Sequence, residues 1–246
     1  MARRREHLRN APIVEAVIDF RVLRRQTVPT DRFANLQSLI GKQYSQSALM
    51  QSVEAQLTFS QEKVPSSSAV TAPIGWRYQA DSLVAQFRVD GFTFSKLEPY
   101  TTWNEVFSEA LRLWGVYVRV AEPAEVVRVA VRYINRLQIP VPAQIGDYLE
   151  APPELPSPIS QQLRQFLSRF VIDDVRRNAS AVIIQASEPM IGPPAMALLI
   201  DIDAFKDNLA VIPADPGLRD MFLELRDLKN EIFFASITER AAEMYE

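Results

Sequence analysis

The run Val126–Ile139 constrains the fold more than any other segment of this chain. It is about 14 residues long, rich in β-branched residues, and changes character at every second position. Period two is the spacing of a β-strand. It puts Arg128, Arg132 and Arg136 on one face with Ala130 and Ile134, and Val127, Val129, Val131 and Tyr133 on the other. A second alternating run near the N-terminus places Val14, Ala16, Ile18, Phe20 and Val22 between Glu15, Asp19 and Arg21. Both read as half-buried strands.

Between them, Val53–Ser60, Gly75–Ala80, Leu83–Asp90 and Phe92–Leu97 are strand-like, with Asp81-Ser82 and Asp90-Gly91 as turns. Asp-Gly between alternating runs is a hairpin signal. Residues 61–73, with Ser66-Ser67-Ser68 and two prolines, are expected to form a mobile hairpin loop. Thr30 or Asp31 would cap a helix carrying Phe33, Leu36, Leu39 and Ile40. Thr102-x-x-Glu105 is a capping-box pattern. It opens a helix lined by Trp103, Val106, Phe107, Ala110, Leu111 and Trp114.

Six of the 17 prolines fall in residues 140–158, which excludes regular structure over most of that stretch. Ser157-Pro158 then predicts a helix over Ile159–Phe170. Ala179–Ala186 and Met196–Ile202 are predicted strands. Asp173-Asp174 reads as a helix-end loop. Asp215-Pro216 opens a last helix from about Leu218 to Met244, striped by Met221, Leu225, Leu228, Ile232 and Ala235. Phe233-Phe234 and Ile237 widen that stripe, which suggests burial on two sides and a homodimer through this helix.

Each half of the chain therefore reads as strand, helix, strands, long helix, with a break near Pro123. The expected fold is α+β: antiparallel sheets with long helices on one face, in pseudo-duplicated halves of about 11–122 and 123–246 within one domain. The tandem helix-grip and TATA-binding-protein-like architectures share this plan, and a plan carries no function with it.

Chemistry is narrowed more by what is missing. With no cysteine the chain lacks thiol chemistry, and its single histidine, His7, lies in an arginine-rich segment before the first strand, where it reads as a solvated terminal residue rather than the base of a serine-protease-like triad. Its 7 glycines are isolated, so no phosphate-cradling loop exists and no cofactor is implied. The first 122 residues carry 15 Lys and Arg against 12 Asp and Glu, and the remainder 12 against 18. That is not the strongly basic field of a dedicated nucleic-acid binder, although seven arginines crowd the first 25 residues. No apolar run of about 7–15 residues follows Arg3–Arg5, and none reaches the roughly 18 of a spanning helix. A cytoplasmic protein without a membrane partner is expected.

The candidates that remain are few. Arg128, Arg132 and Arg136 in a row, with Asn135 beside them, could bind a phosphate or carboxylate bidentately. Alternatively they pair with Glu15, Asp19 or carboxylates of the second half. Asp201 and Asp203 share a strand face and are remote Mg²⁺ candidates, unless they simply end an exposed strand. Asp227-x-Lys229 resembles a nuclease string but falls mid-helix, where that motif expects a strand. The aromatics Trp76, Tyr78, Phe87, Phe92, Phe94, Tyr100 and Trp103 form either a base-stacking platform or core.

Four strings carry a family resemblance. Asn10-Ala-Pro-Ile13-Val-Glu15-Ala16-Val17, Arg132-Tyr-Ile-Asn135-Arg136, Leu199-Ile-Asp201-Ile-Asp203, and a terminal helix with Asn230, Phe233 and Thr238 occur in this order. Together they resemble a sporadically distributed prokaryotic family of similar length with no assigned function. The resemblance implies an accessory gene, mobile or defence-linked, and brings no catalytic residues. Glu15 and Arg132 would sit on equivalent strands, and a Glu15–Arg132 ion pair is expected near a pseudo-twofold. The leading expectation is a non-enzymatic accessory or regulatory interaction protein. Behind it stand a small-anion binder with a cavity between sheet and long helix, a nucleic-acid module, and a metal-dependent hydrolase.

Overall fold

A computed structural model describes residues 8–24, 28–60, 63–140, 142, 144–154, 165–189 and 195–246. Its nine strands are β1 (Ile13–Arg24), β2 (Gln46–Ser60), β3 (Lys63–Ala80), β4 (Leu83–Arg88), β5 (Gly91–Leu97), β6 (Pro123–Pro140), β7 (Leu167–Asp174), β8 (Ala179–Pro189) and β9 (Ala195–Lys206). They make one sheet in the order β2-β3-β4-β5-β1-β6-β9-β8-β7, with every neighbouring pair antiparallel. The fold is thus α+β, on one continuous sheet rather than several. The two halves meet at its centre, where β1 pairs with β6 in a register that sets Val17 opposite Arg132.

One face of the sheet carries the helices. Phe20 of β1 stacks on Trp114 at 4.1 Å between ring centroids and lies 4.8 Å from Phe222. Those two rings belong to α2 (Trp103–Ala121) and α3 (Gly217–Ser236), so both long helices cover the same face. Thr102 caps α2 as the box pattern predicts, its hydroxyl accepting the Glu105 N–H at 3.3 Å. Tyr78, Phe87, Phe92 and Phe94 are fully buried. These rings are core, not a stacking platform.

Several expectations need correction. Residues 63–73 are strand rather than loop; residues 61–62 fall outside the described residues. The ladder with β2 supplies backbone partners along this segment, and Pro73 falls at the register shift between Met50 and Gln51, where a missing N–H is tolerated. Leu167–Phe170, predicted as helix, begin β7, and Asp173-Asp174 end that strand; residues 159–164 lie outside the described residues. The apolar spacing there suits either period, and pairing with β8 decides it. The helix predicted after Thr30 is a 3₁₀ turn, Thr30–Phe33, then the single turn α1 (Gln37–Ile40). The terminal helix breaks at Ile237, because Thr238 caps a new short helix, α4 (Glu239–Glu243), by accepting the Ala241 N–H at 3.2 Å. Asp201 and Asp203 lie inside β9, not at its end.

The apolar face of α3 is turned inward. Leu218, Phe222, Leu225, Leu228, Ile232 and Phe233 are buried in the core, while Ala235 of the predicted stripe is exposed. Its width therefore follows from packing within the subunit. Among the described residues no helix is long and apolar enough to cross a membrane.

Candidate functional site

Alternation along the central strands sends Asp19, Arg21, Arg128, Arg132, Asp201 and Asp203 to the face away from the helices. There the arginine stripe meets carboxylates. Arg132 grips Asp201 through Nε and Nη2 at 2.8 and 2.6 Å. Arg128 reaches Asp203 at 2.8 Å and Asp19 at 3.4 Å, with its guanidinium 4.6 Å over the Phe205 ring. Arg136 lies 3.4 Å from Glu188. Asp19 also accepts from Arg88 at 3.2 Å and from the Thr93 hydroxyl at 2.5 Å, and Asp90 accepts from Arg21 and Arg88.

Charges within this network balance: Arg21, Arg88, Arg128 and Arg132 stand against Asp19, Asp90, Asp201 and Asp203. Burial raises the Asp203 carboxyl above its usual range, and the Arg128 and Arg132 charges offset only part of that. Burial acts on Asp90 too, but there the Arg88 and Arg21 charges outweigh it and hold the carboxyl low. A groove of about 530 Å³ crosses this network. An anion entering it would have to displace carboxylates already in place. The Asp201 and Asp203 oxygens face guanidinium groups, and among the described residues no three His, Asp or Glu gather as a metal site would require. Glu15 is not the ion-pair partner of Arg132; it acts on that guanidinium only at longer range, because Arg132 turns to the β9 side.

The other face holds a different arrangement, between β6 and α3. A cavity of about 210 Å³ is lined by Leu8, Ala11, Pro12, Ile13, Tyr100, Thr102, Trp103, Asn104, Tyr133, Asn135, Arg226, Lys229, Asn230, Phe233 and Phe234. Three of the four sequence strings converge here: Ala11–Ile13, Tyr133 with Asn135, and Asn230 with Phe233. They meet because Ile13 pairs with Asn135 at the bulged start of the β1–β6 ladder, and the Arg136 N–H donates to the Pro12 carbonyl at 2.7 Å. Asn135 is buried and donates to the Ile200 carbonyl at 3.0 Å, which fixes its amide.

Lys229 is the chemically unusual group. It is only 7% exposed, and its Nζ sits 3.8 Å from the centroid of the Tyr133 ring. Among the described residues no carboxylate pairs with it and no oxygen accepts from it. Burial pushes its ammonium down to about 7, and the Arg226 charge adds to the drop. Arg226, one turn earlier on α3, lies 5.6 Å over the Trp103 ring and likewise has no carboxylate partner among the described residues. The Tyr100 and Tyr133 hydroxyls are 3.1 Å apart, and burial keeps both protonated well past neutral pH.

Of the residues singled out in the sequence, Asn135 lines this cavity, and Arg136 lines an adjoining groove of about 750 Å³ that shares the wall of Leu8, Ala11–Ile13 and Tyr100. Arg128 and Arg132 are on the opposite face. Sequence reasoning missed Lys229 and Arg226. The signal was there: Lys229 falls four residues after Leu225 and four before Phe233, so a charge interrupts the buried stripe of α3. His7 and the arginines before it lie outside the described residues. In comparison with known proteins, the chain matches no family model and no curated relative.

Proposed function

We propose that this protein binds a small organic anion in the cavity between β6 and α3, as a non-enzymatic accessory or regulatory factor. One observation carries the reading: two cationic side chains, Lys229 and Arg226, line a cavity to which, among the described residues, no Asp or Glu contributes. A buried charge is ordinarily paired, and an unpaired one is costly, so a site that keeps Lys229 buried beside the half-buried Arg226, with no carboxylate on either among the described residues, is built for a partner supplied from outside. The balanced network on the other face makes the contrast. The volume gives the ligand a scale: at roughly 30 Å³ per water-sized group, about seven non-hydrogen atoms fit before the adjoining groove is reached.

Native mass spectrometry followed by denaturing mass on the same sample tests this first. A small mass that leaves on denaturation supports the reading and identifies the ligand. Calorimetry with short carboxylates and phosphate follows, on the native chain and on Lys229→Met. Binding lost in Lys229→Met supports the site. Binding of equal strength in both overturns it.

The frame proposed for this site is a pseudo-duplicated, tandem helix-grip fold. In it β1 is equivalent to β6, β5 to β9, β4 to β8, β3 to β7, and α2 to α3. Strand order supports this, since each half runs outward from the central pair in the same sequence. The resemblance to a patchily distributed prokaryotic family stays part of the proposal, supported by the meeting of its strings at one cavity.

A second reading, homodimerisation, is favoured by edge strand β7 rather than by α3. Phe170, Val171 and Ile172 are exposed there, next to a backbone edge that no described strand pairs with. Antiparallel pairing with a second copy centred on Val171 would set Arg169 against Asp173 and Phe170 against Ile172. Light scattering on the native chain and on Val171→Pro decides: a dimer that Val171→Pro dissociates supports it, and a monomer at high concentration overturns it.

A further inference from the structure

We infer that Lys229 captures a carbonyl group, so that the anion held in the cavity is a short oxo acid bound as a reversible imine. The inference rests on the anion-site reading and names the ligand's second functional group.

The geometry makes two demands on a ligand. Arg226 offers a planar fork suited to a carboxylate. Lys229, three residues further along the same helix face, offers a primary amine that, among the described residues, only the Tyr133 ring face engages. An anion alone would satisfy Arg226 yet leave a nine-tenths-buried amine with nothing but the Tyr133 ring beneath it. A molecule carrying a carboxylate and an aldehyde or ketone uses both. About seven non-hydrogen atoms is the size of such an acid with two to four carbons.

The chemistry balances without a co-reactant. The neutral amine nitrogen of Lys229 adds to the carbonyl carbon, the C–O π bond breaks, and the oxygen takes a proton. Loss of water then carries off that oxygen with both hydrogens of the original amine, leaving a carbon–nitrogen double bond. Hydrolysis runs the same steps backwards, so no net reaction is required for function. The hydroxyls of half-buried Tyr100 and buried Tyr133, 3.1 Å apart, stay protonated and can donate to the oxygen as it leaves.

Desolvation supports this step, because only the neutral amine is nucleophilic. Among the described residues no carboxylate faces Lys229 to hold its proton, and the Tyr133 ring is the one group that attracts the ammonium. Its own helix contributes Arg226, β6 contributes Tyr133, the segment before α2 contributes Tyr100, and the N-terminal wall of Leu8 and Ala11–Ile13 has no charged side chain. With its ammonium down at about 7, Lys229 is neutral on the order of a thousandfold more often at pH 7 than a surface lysine.

The test is trapping with sodium cyanoborohydride, using glyoxylate and pyruvate as probes on the full chain, with intact mass and peptide mapping as readouts. Expected is one saturable adduct per chain, on Lys229. Its rate should rise to half-maximum near pH 7, whereas surface lysines gain label only at much higher pH. Lys229→Arg, which keeps the cation and the fold, should lose the adduct. Arg226→Gln should keep it but need at least tenfold more probe. Calorimetry with lactate and propionate, which carry no carbonyl, separates the layers of the argument. Binding of these acids without any Lys229 adduct overturns the imine and leaves the anion site standing. Absence of both overturns both. Labelling of Lys229 no faster than of surface lysines also overturns the inference.

Discussion

Arg132 holds Asp201 through two parallel N–H···O bonds, although its direct cross-strand neighbour on β9 is Asp203. The carboxylate side chain is 7% exposed and the guanidinium 45%. That asymmetry makes Arg132 a structural counter-charge. Arg132→Ala should lower the free energy of unfolding by about 2 kcal/mol, between the values for exposed and for buried broken pairs. Arg132→Lys should recover only part, because an ammonium cannot reproduce the fork. Urea titration measures both; an unchanged midpoint in Arg132→Ala would refute the role.

Thr93 is the hinge of the Asp19 network: its hydroxyl accepts from Arg88 and donates to Asp19. Thr93→Val keeps the shape and removes both bonds, leaving Asp19 short of a donor in a buried position. A loss of roughly 1–3 kcal/mol is expected. Thr93→Ser should restore most of it in the same titration, and a Thr93→Ser variant as weak as Thr93→Val would show that packing, not the hydroxyl, matters.

Lys229 makes stability depend on pH in a defined direction. In the folded chain its proton is lost above about 7, and in the unfolded chain only above its ordinary value of 10.5. Between these, unfolding takes up a proton, so stability rises with pH across that window. Below 7 the full penalty of burying the charge applies, on the order of a few kcal/mol. Lys229→Met should therefore melt higher than the native chain near pH 6, with the gap closing toward pH 10. A pH-independent gap in thermal unfolding would contradict this.

Two glycines should respond in opposite ways. A Cβ on Gly91 would lie 2.1 Å from the Phe20 carbonyl oxygen, inside the β1–β5 ladder. Gly91→Ala should break that register and leave the chain aggregated or severely destabilised. A Cβ on Gly115 of α2 would meet nothing within 4 Å, so Gly115→Ala should stabilise by about 0.5–1 kcal/mol. Expression yield and melting temperature of the two variants check both.

How far the chain could be read depended on whether a signal was local. Alternation in β1 and β6, the Thr102 cap and the hairpin signalled by Asp90-Gly91 are properties of a few adjacent residues, and the structure follows them, with the turn itself one residue earlier at Val89-Asp90 and Gly91 opening β5. Residues 63–73 and Leu167–Phe170 were misread because pairing with the adjoining hairpin strand, β2 in one case and β8 in the other, outweighs what serine, proline or apolar spacing prefers locally. The arginine stripe was grouped on one face with Asp19 and second-half carboxylates as candidate partners, but those partners lie some 70 to 110 residues away, and which carboxylate meets which arginine emerges only from register. The cavity was hardest. Tyr100, Tyr133 and Lys229 come from three separate elements, and nothing near Lys229 in sequence marks it except that its position on α3 should have been apolar.

The strand order has a consequence for how the protein is made. β1 is synthesised early, and β5 closes one of its sides once residue 97 has emerged. Its other side waits for β6, which ends at residue 140. Until then the nascent chain presents Ile18 and Phe20 on a strand with an open flank, the form that pairs with strangers. A chain stopped after residue 122 would keep that flank permanently. The halves resemble two modules on paper, yet the ribosome must deliver both before either has a finished border.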